Sequence, residues 1–378
     1  MSTQLFIPKY RVEECLDEIR KSLECGWTGL GHRTVEFENI WKVYTGLSHA
    51  HFVNSATAGL YMAVEILKAA NQWADGDEII STPITFVSTN HAILHNNLKV
   101  TFADVDDRLS LDPVDVERKI NERTRAVMYV GIGGDTGQYE QMVALCRKYN
   151  LKLILDAAHM AGTRLHGEIP GKEADVVVYS YQAVKNLPTA DSGMLCFKDE
   201  EHDALCRKLS WLGISKDTYS RTEGGGTYKW RYDVDHLGYK YHGNSIMAAI
   251  AITQLKYLDE DNAYRRQLAS WYDEQLSAAN LPITPITISD GCESSRHLYR
   301  ILTPEREQLI SHLHANDIYP GVHYRDNTEY SIYAYANGTC PQAHALSQQV
   351  LSLPLHLHMT EADVSHICAS IAAYWSGD

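Results

Sequence analysis

The stretch VVVYSYQAVKNLPTADSGMLCF, Val176 to Phe197, opens as an unbroken apolar run and then places a single lysine, Lys185, ahead of a glycine-containing segment. A short run of this kind, rich in β-branched residues, reads as a strand buried on both faces, as in a parallel sheet. Earlier segments repeat the pattern: EIISTPITF (78–86), KVTFADV (99–105), RAVMYVGI (125–132) and LKLILDAAH (151–159). Between them, TAGLYMAVEILKAANQW (57–73), DPVDVERKI (112–120) and YEQMVALCRKY (139–149) carry apolar residues at helical spacing. Strand and helix in alternation predict an α/β fold, a mostly parallel central sheet with helices on both faces.

From Ser245 the pattern changes. The stretch 245–279 keeps apolar residues three and four apart and predicts one long helix that leads into a smaller C-terminal α+β unit built on HLYRIL, HALSQQVLSLPLH and a last helix. The expected division is a large unit over 1–250, including the N-terminal segment, and a small one over 251–378.

Composition narrows the function. The 378 residues hold 34 Lys and Arg against 48 Asp and Glu, a formal charge of −14, which offers no footprint for nucleic acid or an anionic membrane. The start, MSTQLFIPKYRVEECLDEIRKSL, lacks the layout of a secretion signal, and no apolar run is long enough to span a bilayer, so a cytoplasmic location is expected. Eight scattered cysteines without a C-x-x-C pair predict reduced, mostly packed thiols.

Ligands of parallel sheets bind beyond the carboxyl ends of the strands. Asp156 ends one apolar run, Ser180 ends another, and Lys185 follows five residues later, so a carboxylate, a hydroxyl and an amine are expected to converge. In VNSATAGLYMAVEIL, Asn54, Ser55 and Thr57 stand at a helix start, where they either cap the helix or let a phosphate approach its free N–H groups. VGIGGDTGQY (130–139) follows a strand, but from Gly131 and Gly133 the third glycine of a dinucleotide fingerprint should stand at 136, which is Thr136. EGGGT (223–227) reads as a flexible loop, and the HLH pairs at 312–314 and 356–358 lack partners at metal-ligand spacing. No metal is expected.

Taken in order, FVNSATAGL, TPITFVST, FADVDDRLSLD, ILDAAHMAGTRLHG, YSYQAVKNL, LGYKYHGNSIMAAIAITQLKYLDE, GVHY and LSLPLHLHMT resemble the DegT/DnrJ/EryC1/StrS aminotransferases across nearly the whole chain. That family uses pyridoxal 5'-phosphate (PLP) and its amine form (PMP) on the fold-type I scaffold. By this resemblance, Lys185 binds the cofactor covalently and carries the proton. Asp156 pairs with the ring nitrogen, His159 lies near the ring hydroxyl and Phe86 stacks on the ring. Ala56, which replaces the family's usual glycine, Thr57 and Ser180 hold the phosphate. The segment GYKYHGN reaches a neighbouring subunit's site through Lys240, His242 or Asn244, implying a homodimer, while His323 and Tyr324 lie beside the sugar.

The activity implied is transfer of an amino group from L-glutamate to a nucleotide-linked keto sugar, a 4-keto-6-deoxy one. Two rivals are a sugar dehydratase of the same family, in which histidine replaces the lysine, and a regulator that binds the cofactor without turnover. Lys185 disfavours the first, and a complete Lys185, Asp156 and Ser180 set disfavours the second.

Overall fold

The structure, a computed structural model, describes residues 2–214 and 232–376. The EGGGT tract lies outside the described residues. Seven strands form the central sheet: β1 (His51–Val53), β2 (Glu78–Ser81), β3 (Lys99–Phe102), β4 (Thr124–Val130), β5 (Lys152–Asp156), β6 (Val176–Ser180) and β7 (Gly193–Phe197), in spatial order β1-β7-β6-β5-β4-β2-β3. Neighbours from β3 through β6 pair in parallel, whereas β7 is antiparallel to both β6 and β1. Every residue of β6 and β7 is buried, as strands covered on both faces require.

Among the described residues, the helices in chain order are α1 (Val12–Glu24), α2 (His32–Thr45), α3 (Ala56–Ala70), α4 (Val87–His95), α5 (Pro113–Lys119), α6 (Tyr139–Tyr149), α7 (Glu200–Ser210), α8 (Ser245–Leu255), α9 (Leu258–Ala278), α10 (Arg306–Ala315), α11 (Pro341–Ser347) and α12 (Glu361–Ser376). One apolar core joins Leu60 and Leu67 of α3 to Ile79, Met128 and Val178 of the sheet. A second, on the other face, joins Phe37 and Trp41 of α2 to Tyr129, Tyr179 and Ala251.

The expected long helix over 245–279 is two helices, α8 and α9, separated at Lys256 and Tyr257. Bonds from Lys256 N to Thr253 O at 3.3 Å and from Tyr257 N to Gln254 O at 3.1 Å tighten the turn there. Side-chain periodicity carries through the break and hides it. Leu258 still packs in the α2-side core, and a third core begins at Leu268 with Tyr299, Leu309, Leu351 and Val364.

The C-terminal part carries an antiparallel sheet of β8 (Thr284–Pro285), β9 (Tyr299–Leu302) and β10 (Val350–Leu353), with β9 in the middle. The N-terminal segment touches both parts: Gln254 Nε2 donates to Lys9 O at 2.8 Å, which ties it to α8, while its first residues reach further. Thr3–Gln4 pairs in parallel with Ile318–Tyr319, and Leu355 N bonds Leu5 O at 3.2 Å, so residues 3–5 lie on the C-terminal part. Among the described residues, no helix is long and apolar enough to cross a membrane, and no group of three or more His, Cys, Asp or Glu side chains could hold a metal.

Candidate active site

Parallel register aligns the ends of β4, β5 and β6, with Asp156 opposite Val130 on one side and Val178 on the other. A cavity of about 480 Å³ opens beyond that edge, and Asp156, Ser180 and Lys185 all line it. The convergence expected from the strand ends therefore occurs. Ala56, Thr57, Phe86, His159, His323 and Tyr324 line the same space, whereas Lys240 and Asn244 do not.

Asp156 is 3% exposed and binds through both oxygens: Thr89 Oγ1 donates to Oδ2 at 2.8 Å and Ala158 N to Oδ1 at 3.1 Å. Burial raises its pKa from the ordinary carboxylate value, opposed by these two bonds and by the positive charge of Lys185. Lys185 sits on the turn that leaves β6, partly open to the cavity. The protein around it strips water from the ammonium and lowers its pKa to about 8, against the pull of Asp156. An amine so tuned exchanges a proton near neutral pH, which an exposed lysine does not.

Helix α3 starts at the opposite wall. Ser55 caps it by accepting from Ala58 N at 3.1 Å, so the capping role is filled by Ser55 itself. The N–H groups of Ala56 and Thr57 belong to the first turn and have no partner among the described residues. They make an anion-binding end pointed at the cavity. Ser180 Oγ stands nearby in the lining and accepts only a long 3.4 Å bond from Gln182 N. Phe86 is no core residue: it is 58% exposed, with its ring 6.2 Å from that of Tyr324.

His159 is fixed by the glycine-rich loop that failed the dinucleotide spacing. Gly133, at φ +69°, donates its N–H to His159 Nδ1 at 3.1 Å, and Tyr324 Oη lies 3.2 Å from Nε2. A Cβ at Gly131 would meet Met160 Sδ at 1.9 Å, so this loop is glycine-rich to let the segment after β5 pack closely. Burial holds His159 well below its usual pKa, and it lowers His323 to about 3 with help from Lys185 and Arg300; both rings are neutral at physiological pH.

Lys240 and Asn244 have other partners within the chain. The Lys240 ammonium lies 3.5 Å above the Trp211 ring, and Asn244 caps α8 by accepting from Met247 N at 3.0 Å. Sequence reasoning missed Phe6, Thr89 and His297, all in the cavity wall. Thr89 carried a signal, since it lies three residues past Phe86 in the quoted TFVST segment, one helical turn along.

The family model of the DegT/DnrJ/EryC1/StrS aminotransferases matches residues 9–372. The chain belongs to this family. It is 32% identical over 357 residues to the dTDP-4-dehydro-2,3,6-trideoxy-D-glucose 4-aminotransferase of Saccharopolyspora spinosa, covering 93% of this chain and 91% of that one. Among solved structures, PseC of Helicobacter pylori, an aminotransferase involved in the biosynthesis of pseudoaminic acid, superposes with a TM-score of 0.91 at 26% identity over 100% of both chains. Spr1654 of Streptococcus pneumoniae in its PMP form gives a TM-score of 0.90 at 26% identity, over 98% of this chain and 99% of that one. As a DegT/DnrJ/EryC1/StrS protein, the chain is a PLP-dependent aminotransferase with the fold-type I architecture, and its relatives work in sugar biosynthesis.

Proposed function

We propose that this enzyme takes the amino group of L-glutamate and delivers it to the keto carbon of a nucleotide-linked sugar, a 4-keto-6-deoxy sugar in the first instance. One observation carries the reading: a proton-exchanging lysine, a buried carboxylate and an unpartnered helix N-terminus face one another across one cavity. The relative from S. spinosa, named for a nucleotide-linked 4-keto sugar, supports the substrate class.

The residues fit PLP. The free N–H groups of Ala56 and Thr57, with Ser180, would hold its phosphate. Asp156 would face the ring nitrogen, and Phe86, exposed in the wall, would cover the ring. When bound, the cofactor accepts the electron pair released as a bond to the substrate's carbon breaks. Lys185 Nζ would take the proton from that carbon and deliver it two atoms further along, across the nitrogen, a task that needs an amine titrating near neutral pH. The two bonds donated to Asp156 favour its charged form against the burial that disfavours it, and that charge would stabilise positive charge opposite it. Thr85 Oγ1, 2.9 Å from Thr89 Oγ1, steadies the hydroxyl that holds Asp156.

A homodimer with shared sites completes the reading. Val12, Leu16 and Leu23 of α1, 48–58% exposed, and Val43 of α2, 85% exposed, are large apolar side chains that a second copy would cover. Lys240, His242 or Asn244 would then serve the neighbouring cavity, and His323 and Tyr324 the sugar.

Two measurements check this account. In the first, the amine form made with L-glutamate is mixed in single turnover with several nucleotide-linked keto sugars and with simple 2-oxo acids. Discharge by a keto sugar is expected; rapid discharge by 2-oxo acids other than 2-oxoglutarate, with every sugar inert, would make the protein a general amino-acid aminotransferase. The second concerns the helix start. A Cβ on Gly193 would lie 2.7 Å from Ala56 N and 2.8 Å from Tyr179 O, both main-chain atoms with little room to move. Gly193→Ala is expected to cost about 1–3 kcal/mol of stability and to weaken PLP binding as the start of α3 shifts. Unaltered melting and PLP titration would show that the phosphate does not depend on this approach.

A further inference from the structure

Hydrogen bonds fix the tautomers of two histidines in the cavity wall, and they do so in opposite senses. A main-chain amide only donates, so the bond from Gly133 N to His159 Nδ1 leaves the neutral ring's proton on Nε2, facing the Tyr324 oxygen. The second ring is set through Asn186, the residue after Lys185. Its Nδ2 lies 2.7 Å from the Ser295 carbonyl oxygen and 2.7 Å from Asn262 Oδ1. A carbonyl only accepts, which identifies the nitrogen end of the Asn186 amide. Asn262 is oriented in the same way, because its Nδ2 donates to Ala161 O at 2.9 Å.

The oxygen end of Asn186 therefore faces His297 Nδ1, 3.0 Å away, and His297 carries its proton on Nδ1. Its other nitrogen, Nε2, keeps a lone pair. His297 is 2% exposed and packs between Phe6, at 5.4 Å and nearly parallel, and His159, at 4.3 Å between ring centres. No hydrogen bond to Nε2 occurs among the described residues, although the ring lines the cavity. Burial, reinforced by His159 and Lys185, pushes its pKa well below the usual value and keeps the lone pair free.

We propose that His297 Nε2 accepts a hydrogen bond from a hydroxyl group of the keto sugar, and so makes the enzyme prefer a sugar that retains a ring hydroxyl over its deoxy counterpart. This rests on the keto-sugar reading of the same cavity. The amino donor is the poorer match: its carboxylates are acceptors, and they would set lone pair against lone pair. A sugar hydroxyl supplies the missing proton. A buried acceptor left empty by a deoxy substrate loses its bond without replacement, which is how such sites discriminate.

The test uses the holoenzyme in its amine form, in single turnover with a nucleoside-diphosphate-linked 4-keto-6-deoxy sugar and with the 3,6-dideoxy and 2,3,6-trideoxy analogues. The wild type is expected to favour the hydroxylated sugar by about ten- to a hundredfold, His297→Phe to lose that preference, and His297→Gln, which still offers an acceptor, to recover part of it. A preference that survives in His297→Phe, or a wild type indifferent to the hydroxyl, overturns the proposal. Discharge of the wild type by no keto sugar at all removes the reading beneath it, an outcome distinct from indifference. A second readout holds even where a variant folds poorly: in the ¹⁵N-histidine spectrum of the wild-type chain, His297 should show a protonated Nδ1 and a bare Nε2, with His159 the reverse. A protonated His297 Nε2 contradicts the assignment.

Discussion

Lys185→Ala is expected to fold and to bind PLP, yet to turn over at least about ten-thousandfold more slowly than the wild type, because one residue supplies both nucleophile and base. The physical ground is the lowering of its pKa to about 8 by burial. At pH 7 roughly one such amine in ten is neutral, against about one in 2,500 for a lysine at its ordinary value. Among the described residues, no other lysine lines the cavity, so nothing can take over the proton. Steady-state rates on the purified variant check this, and a loss smaller than tenfold would remove Lys185 from the chemistry.

Asp156→Asn should be the next most damaging change, lowering turnover by about a hundredfold or more while leaving the fold intact. An asparagine keeps one oxygen to accept from Ala158 N, and its amide nitrogen can donate to Thr89 Oγ1, which is free to turn toward Thr85. Packing is thus preserved and only the charge is lost. An amide cannot hold a positive ring nitrogen as a carboxylate does. A melting temperature within a degree or two of the wild type, with the rate down, is the expected pair of results; a near-normal rate would refute the role given to Asp156.

Much of this site was legible in the sequence because strand ends are. Asp156 and Ser180 close apolar runs whose parallel pairing brings their last residues to one edge, and Lys185 follows by a short turn. The helix-start pattern around Ser55 was legible for the same local reason. Strands β1 and β7 were not: β1 has only three residues, and β7 follows the stretch 188–192, which reads as loop. His297 and Phe6 were hidden because tertiary packing alone brings Phe6, at the chain start, onto His297, and His297, just ahead of β9, onto His159. Phe86 was ambiguous, since the same letter serves a core and a cavity wall; its exposure separates the two. Lys240 and Asn244 take local partners within the chain, and a role across a subunit boundary leaves no mark on one sequence.

The central claim is that Lys185 is the residue through which this protein handles an amino group. Borohydride reduction of the PLP-loaded protein, followed by proteolysis and mass spectrometry, tests it directly. The account predicts a cofactor-sized mass increase on the peptide containing Lys185, with loss of the protein's visible colour. A label on any other lysine, or protein that takes up no PLP on reconstitution, would contradict it.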